Sequence, residues 1–316
     1  MNRVAMTGVG AHRPAQHVDN TAISERIGSS DEWIRERSGI VTRGVAGPQE
    51  TVVEMAASAG AKALAAAGVD PVDVDLVLLA TCSMPGPLPG GSPAVAARLG
   101  ATHAGASDIG AGCAGFTYAL ALAADSIRAG SSRTVLVTAS ERLLDMVDHD
   151  DRGTAFLFGD GAGAAVLQAQ DGDGPDGVGP VVWLHDGEQA ALLEIKGSPL
   201  RLGMEGRAIY RWATTSLPQL ARTACERAGL EVSDLAAFVP HQANLRITES
   251  VVRSLKLGPD VVVARDVVDS GNTSAASVPL ALARLVELGQ VSTGDPVLLL
   301  GFGAGLTAAG QVIRCP

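Results

Sequence analysis

The chain repeats one arrangement of helices and strands, with the second copy about 160 residues after the first. Each copy has a helix followed by an apolar strand, and then a second such pair. The corresponding segments are the helix ending at Gly68 and 217–229, the strands 74–80 and 235–240, the helix after Cys113 and 277–288, and the strands 133–139 and 296–300. Because helices that alternate with buried strands are typical of layered sheets, the repeat predicts an α/β fold built from two similar halves.

The second copy begins with a segment so rich in Gly, Asp and Pro that it is typical of a linker. We therefore divide the chain into an N-terminal half, 1–170, with Cys113, and a C-terminal half, 171–316, with His241 and Asn272. In the register of the repeat, Cys113 falls opposite Asn272. Two equivalent helix N-termini are therefore expected to face each other where the halves meet.

Composition restricts the class of protein. The 316 residues are 47% hydrophobic and 18% charged, which is typical of a compact folded protein. No apolar run is long enough for a membrane span, and the N-terminus lacks the apolar core of a signal peptide. The four cysteines show no CxxC spacing, so we expect free thiols in a reducing compartment, the cytoplasm. A net charge of −10 argues against a nucleic-acid partner.

Cys113 is the first candidate catalytic residue. It ends a glycine-rich segment that begins at Asp108, and strong helix formers follow it without a proline. A cysteine at a helix N-terminus lies near unpaired backbone N–H groups and the positive end of the helix dipole, which lower the thiol pKa and favour the nucleophilic thiolate. The alternative is a small buried cysteine with no chemical role.

His241 and Asn272 are the other two candidates. His241 directly follows a predicted buried strand, where α/β folds place functional groups, and Asn272 precedes a predicted helix. Taken singly, such a histidine is more often a surface or core residue, and the Gly-Asn-Thr-Ser run around Asn272 is more often a turn with a helix cap. Because the repeat places Asn272 opposite Cys113, the combination indicates a catalytic site.

Several motifs resemble the β-ketoacyl-(acyl carrier protein) synthase III family. They are Cys-Ala-Gly-Phe-Thr-Tyr-Ala-Leu at 113–120, Asp-Gly-Ala-Gly at 160–163, Pro-His-Gln-Ala-Asn-Leu-Arg at 240–246 and Gly-Asn-Thr-Ser-Ala-Ala-Ser-Val-Pro at 271–279, with Asp-Glu-Trp-Ile at 31–34 and Asp-Arg-Gly-Thr at 151–154. The resemblance extends from the first strand to the last. It implies the thiolase fold, a five-layered αβαβα duplication, and a homodimer, and the repeat is what this fold requires.

The resemblance also implies a condensing acyltransferase. Cys113 would take the acyl group of an acyl-CoA, with the backbone N–H groups of Cys113 and Ala304 as the oxyanion hole. His241 and Asn272 would stabilise the enolate formed when malonyl-acyl carrier protein loses CO₂, and the β-ketoacyl product would start a fatty acid or polyketide chain. The implied partners are acyl-CoA and acyl carrier protein. No metal or redox cofactor is called for, and no His/Cys cluster has metal-ligand spacing.

Other functions are weighed from the same residues. A non-condensing acyltransferase would move the acyl group from Cys113 to a hydroxyl, an amine or a carrier protein, with His241 as a general base, and this alternative stays open. A catalytically silent carrier-binding subunit is disfavoured by the intact candidate residues. A thiolase would have a second cysteine in 301–305, and a type III polyketide synthase would be longer and have a proline in place of Ala304.

The CoA site of the family corresponds to four residues of this chain. By the resemblance, Trp33 and Arg152 flank the adenine, and Arg37 and Asn244 reach the phosphates and the pantetheine arm. A guanidinium and an indole can sandwich a flat ring, so the assignment is physically reasonable. For Trp33 the alternative is a half-buried anchor of its own helix.

The acyl pocket is assigned to Leu88, Leu143 and Phe158. Leu88 replaces the aromatic side chain that in this family often reaches into the acyl pocket of the second subunit. Ala308 stands where a large aromatic residue is common, and the segment 185–202 is short for the family. These smaller groups predict a starter unit other than acetyl and favour polyketide assembly.

Arg246, Arg253 and Lys256 are predicted to dock acyl carrier protein, which is acidic. The window 196–256 has nine Lys/Arg against five Asp/Glu, although the whole chain is acidic. The three side chains fall close to one face of a predicted helix, and local positive charge can steer an acidic partner. The alternative is an ordinary solvated helix face.

Overall fold

The computed structural model describes residues 2–86, 88–172, 174–197 and 200–316. The strands are Arg3–His12 (β1), Gln16–Asp19 (β2), Thr42–Val45 (β3), Leu76–Ala80 (β4), Gly105–Ile109 (β5), Thr134–Arg142 (β6), Asp160–Gln170 (β7), Val182–His185 (β8), Leu193–Lys196 (β9), Arg201–Met204 (β10), Ala237–Pro240 (β11), Val262–Val263 (β12), Pro296–Gly303 (β13) and Thr307–Arg314 (β14). The helices are Thr21–Arg26 (α1), Asp31–Ser38 (α2), Val52–Ala67 (α3), Ser92–Leu99 (α4), Gly115–Arg128 (α5), Gly206–Arg227 (α6), Leu245–Leu255 (α7), Val267–Ser270 (α8) and Ser277–Glu287 (α9). Among these described helices, none combines the length and the apolar character needed to span a bilayer.

Ten of the described strands form two five-stranded sheets with the same plan, and β2–β3 and β9–β10 form two separate two-stranded sheets. In the first sheet the order is β1, β7, β6, β4, β5; β7 is antiparallel to β1 and β6, while β4 is parallel to β6 and β5. In the second sheet the order is β8, β14, β13, β11, β12; β14 is antiparallel to β8 and β13, while β11 is parallel to β13 and β12. Each strand of the first sheet thus has a counterpart in the second, which confirms the predicted duplication.

Five layers result from this arrangement. α3 and α4 cover one face of the first sheet through core residues such as Met55, and α6 and α7 cover one face of the second through residues such as Leu217. α5 and α9 lie between the sheets, where their buried Phe116 and Leu282 share one core with strands of both sheets. The predicted αβαβα architecture of the thiolase fold is confirmed. Helices in the central layer are buried on several sides, which explains why their sequences are so apolar.

Capping residues set the ends of two helices near the start of the chain. The Ser30 side chain accepts a hydrogen bond from the Trp33 backbone N–H (3.2 Å) at the start of α2. Thr51 accepts one from the backbone N–H of Glu54 (3.2 Å) at the start of α3, which ends where Gly68 takes a left-handed conformation. The ends agree with the sequence pattern, because Ser and Thr are favoured at N-caps and Gly just after a helix.

One predicted helix start is wrong. α6 begins at Gly206 and continues through Pro218, whereas the prediction began this helix at residue 217. A proline is favoured in the first turn of a helix and is uncommon in its interior, so the sequence around Pro218 is typical of a helix start. β7 begins at Asp160, so the glycine-rich run belongs to the strand itself. A Cβ atom at Gly163 would lie 2.8 Å from the backbone N of Leu280, so the glycine lets α9 approach the strand closely.

The N-terminal turns of α5 and α9 meet between the two sheets. Gly115 begins α5, and a Cβ atom there would lie 2.9 Å from the Cβ of Ala80 and 3.4 Å from the Cβ of Ala275. Ala275 belongs to the 3₁₀ turn that leads into α9. The two helix starts therefore face each other as expected, and Cys113 and Asn272 lie in the turns that precede them.

Some predictions fall partly outside the described residues. Asp173 lies in the proposed linker between β7 and β8, Pro87 in the proline-rich loop before α4, and Ser198 and Pro199 in the segment 185–202. The domain division at residue 170 and the shortness of that segment therefore stay predictions.

Candidate active site

One cavity of about 1050 Å³ is lined by residues of both halves of the chain. Cys113, His241 and Asn272 all line it, together with Phe302 and Ser274. The structure thus brings together the three side chains that the sequence indicates, although they are far apart along the chain. Apolar side chains of the β9–β10 hairpin, α6 and α7 form much of the remaining wall.

The backbone around Cys113 is held by close contact with the end of β13. A Cβ atom at Gly303 would lie 2.7 Å from the Cβ and 2.9 Å from the backbone N of Cys113, so only glycine permits this approach. A Cβ atom at Gly112, whose φ is +50°, would lie 3.4 Å from the backbone N of Ala304. The backbone nitrogen atoms of Cys113 and Ala304 therefore belong to two turns in direct contact. Their role as an oxyanion hole stays a proposal.

Burial raises the pKa of the Cys113 thiol to about 11. A hydrogen bond with Ser274 and one with the Cys113 backbone lower this pKa in part, whereas the nearby Glu141 carboxylate raises it. The expected lowering of the pKa at the helix N-terminus is therefore wrong as a net effect, because desolvation of the thiolate outweighs it. The thiol is therefore mostly protonated near neutral pH.

His241 is held by a serine of α9. Its backbone N–H donates to the carbonyl of Leu300 (2.7 Å), and its ring Nδ1 lies 2.7 Å from the hydroxyl oxygen of Ser277. That oxygen also accepts the backbone N–H of Gln242 (3.2 Å), so we assign the Ser277 proton to the bond with Nδ1. Nε2 then carries the ring proton and can donate. Burial lowers the pKa of His241 to about 3, which keeps the imidazole neutral.

Asn272 is oriented by its own turn. Its Oδ1 accepts the backbone N–H of Ser274 (2.9 Å), which leaves the Nδ2 group as a donor toward the cavity. Ser274 has a φ of +48°, an uncommon backbone conformation that is typical of functional turns. The Asn272 backbone N–H donates to the carbonyl of Leu157 (2.8 Å), and its carbonyl accepts from Gly159 (3.1 Å). Asn272 and His241 are thus two neutral donors beside one thiol.

Glu141 is a further titratable group next to this site. It is completely buried, and burial raises its pKa. Its carboxylate accepts hydrogen bonds from the Ser83 hydroxyl (2.5 Å) and from the backbone N–H of Cys82 (3.1 Å). A lone carboxylate does not form a metal centre, and within residues 2–86, 88–172, 174–197 and 200–316 no three His, Cys, Asp or Glu side chains are grouped to hold a metal ion.

Trp33 contacts two of the arginines predicted to bind CoA. The guanidinium carbons of Arg37 and Arg152 are 4.5 Å and 5.0 Å from its ring centroid, and the ring of Phe156 meets it edge-on at 5.1 Å. The indole is half-buried, so it also anchors α2, as the alternative interpretation expected. An adenine ring could lie between Trp33 and Arg152 only if these two side chains moved apart.

α7 carries the other basic and polar candidates. Asn244 is its N-cap and lines the cavity, and its Oδ1 accepts a backbone N–H of the first turn (3.1 Å). Arg246 lines the cavity beside Tyr210, with its guanidinium carbon 5.8 Å from the ring centroid. Arg253 is exposed near the end of the helix, and Lys256 is exposed at its C-cap. The three predicted docking residues thus follow one short helix outward from the cavity.

The residues predicted to form the acyl pocket lie in two different parts of the structure. Leu143 and Phe158 are buried and line the cavity. Leu88 is 86% exposed on the loop before α4. Its predicted role concerns the pocket of a second subunit and stays a prediction.

Sequence reasoning missed part of the site. It did not identify Ser277 as the partner of His241, because no local pattern links residues 36 positions apart. It also missed the apolar wall formed by Leu202, Met204 and Ile209. An amphipathic pattern before Pro218 was the available signal for that wall, since it marks the first turns of α6.

Comparison with known proteins identifies the family of the chain. The family model described as 3-oxoacyl-[acyl-carrier-protein (ACP)] synthase III matches residues 107–187, and the model for the C-terminal part of this enzyme matches residues 225–315. A β-ketoacyl-[acyl-carrier-protein] synthase III of Streptomyces coelicolor is 52% identical over 98% of both chains. A mycobacterial β-ketoacyl-[acyl-carrier-protein] synthase III of Mycobacterium marinum is 44% identical over 100% of this chain and 97% of its own.

Solved structures agree with this result. The priming β-ketosynthase from the R1128 polyketide biosynthetic pathway has a TM-score of 0.96 at 46% identity, covering 100% of this chain and 97% of that one. The 3-oxoacyl-(acyl carrier protein) synthase III of Pseudomonas aeruginosa has a TM-score of 0.94 at 36% identity, covering 99% and 98%. The chain therefore belongs to the β-ketoacyl-[acyl-carrier-protein] synthase III family. It is an acyltransferase of the condensing type.

The raised pKa of Cys113 has a measurable consequence. We expect its alkylation by iodoacetamide to quicken roughly tenfold per pH unit from about pH 7 to about pH 9, because the thiolate fraction rises in that proportion below the pKa. Peptide mapping separates Cys113 from the other three cysteines, and Cys113→Ser supplies the blank. A plateau near pH 8 would contradict the dominance of burial.

Proposed function

We propose that the protein loads an acyl group from acyl-CoA onto Cys113 and condenses it with malonyl-acyl carrier protein. The product is a β-ketoacyl-acyl carrier protein, which starts a fatty acid or polyketide chain. One observation carries the proposal: a single cavity unites the Cys113 thiol with two neutral donors, His241 and Asn272. Decarboxylative condensation needs this combination of one nucleophile and a donor pair for an enolate.

In the first half-reaction, the Cys113 sulfur attacks the thioester carbonyl of acyl-CoA. A new C–S bond forms to Cys113, the C–S bond to CoA breaks, and the thiol proton ends on the released CoA. We propose that the backbone N–H groups of Cys113 and Ala304 stabilise the tetrahedral oxyanion, and the close approach of Gly303 to Cys113 supports this. Because burial raises the pKa of this thiol, the proton leaves the sulfur during this step and not before it in our proposal.

In the second half-reaction, malonyl-acyl carrier protein loses CO₂. The electron pair of the broken C–C bond becomes an enolate, whose oxygen accepts hydrogen bonds from His241 Nε2 and Asn272 Nδ2. Neutral donors suit this step, because they can stabilise the negative charge that develops on the enolate oxygen through hydrogen bonds alone. The enolate carbon then attacks the acyl group on Cys113, a C–C bond forms, and the Cys113 thiolate leaves and takes up one proton.

No metal or redox cofactor takes part in these steps, and acyl-CoA enters as a substrate. The four cysteines are free thiols, which fits the proposed cytoplasmic location. For CoA, we propose that Trp33 and Arg152 flank the adenine while Arg37 and Asn244 contact the phosphates and the pantetheine arm. Support comes from the position of Arg37 and Asn244 on the cavity wall and of Trp33 against Arg37.

We propose a starter unit larger than acetyl. Leu143 and Phe158 line a cavity whose other walls are mainly apolar, and the side chain at position 308 is only a methyl group. Such a wall favours an acyl chain over a small polar group, by about 0.8 kcal/mol for each buried CH₂. The similarity to a priming enzyme of a polyketide pathway supports this proposal.

We also propose that two copies pair along β5, the outer strand of the first sheet. The loop that carries Leu88 is tied to this strand, since the Asp108 carboxylate accepts the backbone N–H groups of Gly91 and Ser92 (both 2.8 Å). Leu88 is exposed there, and an edge strand beside an exposed apolar side chain is typical of a protein interface. In such a homodimer, Leu88 would reach the acyl pocket of the second subunit.

Intact mass spectrometry tests the proposed reaction. The protein is incubated with a panel of acyl-CoAs from acetyl upward, and malonyl-acyl carrier protein is then added. We expect a mass adduct on Cys113, largest for a starter longer than acetyl, that disappears with release of CO₂. An adduct that malonyl-acyl carrier protein never discharges would favour the non-condensing acyltransferase, and absence of any adduct on Cys113 would favour the silent carrier-binding subunit.

Ser277→Ala tests the assigned protonation of His241. Loss of the hydroxyl leaves Nδ1 without its donor, at a cost of about 1–3 kcal/mol, so we expect CO₂ release to slow about 5- to 150-fold. Acylation of Cys113 from acyl-CoA should change much less, because it does not use the Nε2 proton. Ser126→Ala is the matched control, because the hydroxyl of Ser126 pairs with that of Ser132 (2.8 Å), away from the cavity. Equal slowing of both steps would contradict the assignment.

Arg253→Glu tests the proposed docking surface for acyl carrier protein. Arg253 is the better choice than Arg246, because Arg246 also lines the cavity where acyl-CoA binds. We expect kcat/KM for malonyl-acyl carrier protein to fall about tenfold at low salt and to converge with the unmodified protein at high salt. Acylation from acyl-CoA should not change. The charge-matched control is Arg133→Glu, at an exposed arginine before β6, and a similar loss there would exclude a specific docking role.

A further inference from the structure

Arg43 is a completely buried arginine in β3. Its guanidinium donates to neutral oxygens: the carbonyls of Phe156 and Phe158 and the side-chain oxygen of Asn20. Among the described residues, its Nε has no hydrogen-bond partner. Burial lowers the pKa of Arg43 to about 10, so the group still carries its charge near neutral pH. A buried charge held only by neutral acceptors is costly, and such a cost calls for a function.

The segment that Arg43 holds is the one that positions Asn272. The carbonyls of Phe156 and Phe158 bind Arg43, whereas the carbonyl of Leu157 between them accepts the Asn272 backbone N–H at 2.8 Å. The backbone N–H of Gly159 then donates to the Asn272 carbonyl at 3.1 Å. Asn272 is therefore paired on both sides with a segment whose neighbouring carbonyls are fixed by one guanidinium.

The stem of Arg43 contacts the other side of the same turn. A Cβ atom at Gly271, whose φ is +68°, would lie 3.2 Å from the Cβ of Arg43. The residues beside Arg43 also bind the helix before this turn: the Val41 N–H donates to the Val268 carbonyl (2.7 Å). The Thr42 hydroxyl donates to the Asp269 carbonyl (2.9 Å). These two hydrogen bonds hold α8 in place directly before Asn272. The guanidinium and the aliphatic stem of Arg43 together contact the two segments that surround Asn272, 156–159 and 271–272.

We propose that Arg43 is a positioning residue for decarboxylation, which acts by holding Asn272 with its Nδ2 group aimed at the enolate oxygen. The inference rests on the proposed role of Asn272 as an enolate donor. Arginine suits the position because it supplies several N–H donors in one rigid fork and contains no acceptor, so it can bind three oxygens at once. Neither lysine nor glutamine reproduces that fork.

The test compares Arg43→Gln and Arg43→Lys in the two half-reactions. Acylation of Cys113 from acyl-CoA is followed by intact mass, and CO₂ release from malonyl-acyl carrier protein is followed with the acyl-loaded protein. We expect Arg43→Gln to release CO₂ about 10- to 100-fold more slowly, because small misplacement of a catalytic group has that effect. Acylation and KM for malonyl-acyl carrier protein should stay within about threefold, and Arg43→Lys should recover part of the loss.

A control variant, Arg128→Lys, separates a specific role of Arg43 from a general loss of stability. Arg128→Lys replaces another mostly buried arginine, which binds Asp176 and the carbonyl of Val178 and controls for loss of such a side chain. Parallel losses of both half-reactions and of thermal stability in Arg43→Lys and Arg43→Gln would overturn the proposal in favour of a purely structural role. If Arg43→Gln is not recovered folded, Arg43→Lys decides by the same split between the two steps.

Asn272→Ala separates this inference from the proposed function. If Asn272→Ala still releases CO₂ at the normal rate, the role of Asn272 itself is wrong. If Asn272→Ala is slow while both Arg43 variants are normal, the proposed function stands and only the role of Arg43 is refuted.

Discussion

The contact between the start of α5 and the end of β13 is the constraint on which the site depends. Gly303 lies so close to Cys113 that a single added carbon would overlap the cysteine. This contact joins a turn of the first half to a strand of the second, so the nucleophile exists in its working geometry only when both halves are folded together. Backbone N–H groups held in this way cost no reorganisation during the reaction, which is why a rigid contact between halves suits an oxyanion hole.

Burial shifts the pKa values of Cys113 and His241 in opposite directions, and both shifts favour the neutral form. It raises the pKa of Cys113 and lowers that of His241, while the Asn272 amide has no charge to lose. In the proposed reaction, these neutral groups receive each anionic intermediate, first the tetrahedral oxyanion and then the enolate. The same buried environment that makes the thiol a weak acid would also strengthen the hydrogen bonds that we propose for these intermediates.

Buried polar residues outside the cavity maintain this neutral arrangement. Ser277 hydrogen-bonds to Nδ1 of His241, which leaves the ring proton on Nε2. Arg43 binds the segment that pairs with Asn272. Neither residue lines the cavity, and we propose that each sets the direction of a donor. The duplicated fold supports this organisation, because the two facing helix starts have equivalent turns. Each turn then carries a different side chain, Cys113 in the first half and Asn272 in the second.

The sequence by itself determined the duplication, the layered α/β fold and the family, because helix and strand periodicity, caps and motifs are local properties of the chain. It also indicated Cys113, His241 and Asn272, since each stands at the end of a strand or the start of a helix. It could not determine the pKa of Cys113, the start of α6, or the partners Ser277 and Arg43. Those depend on desolvation and on contacts between segments distant in the chain, which only the tertiary structure decides.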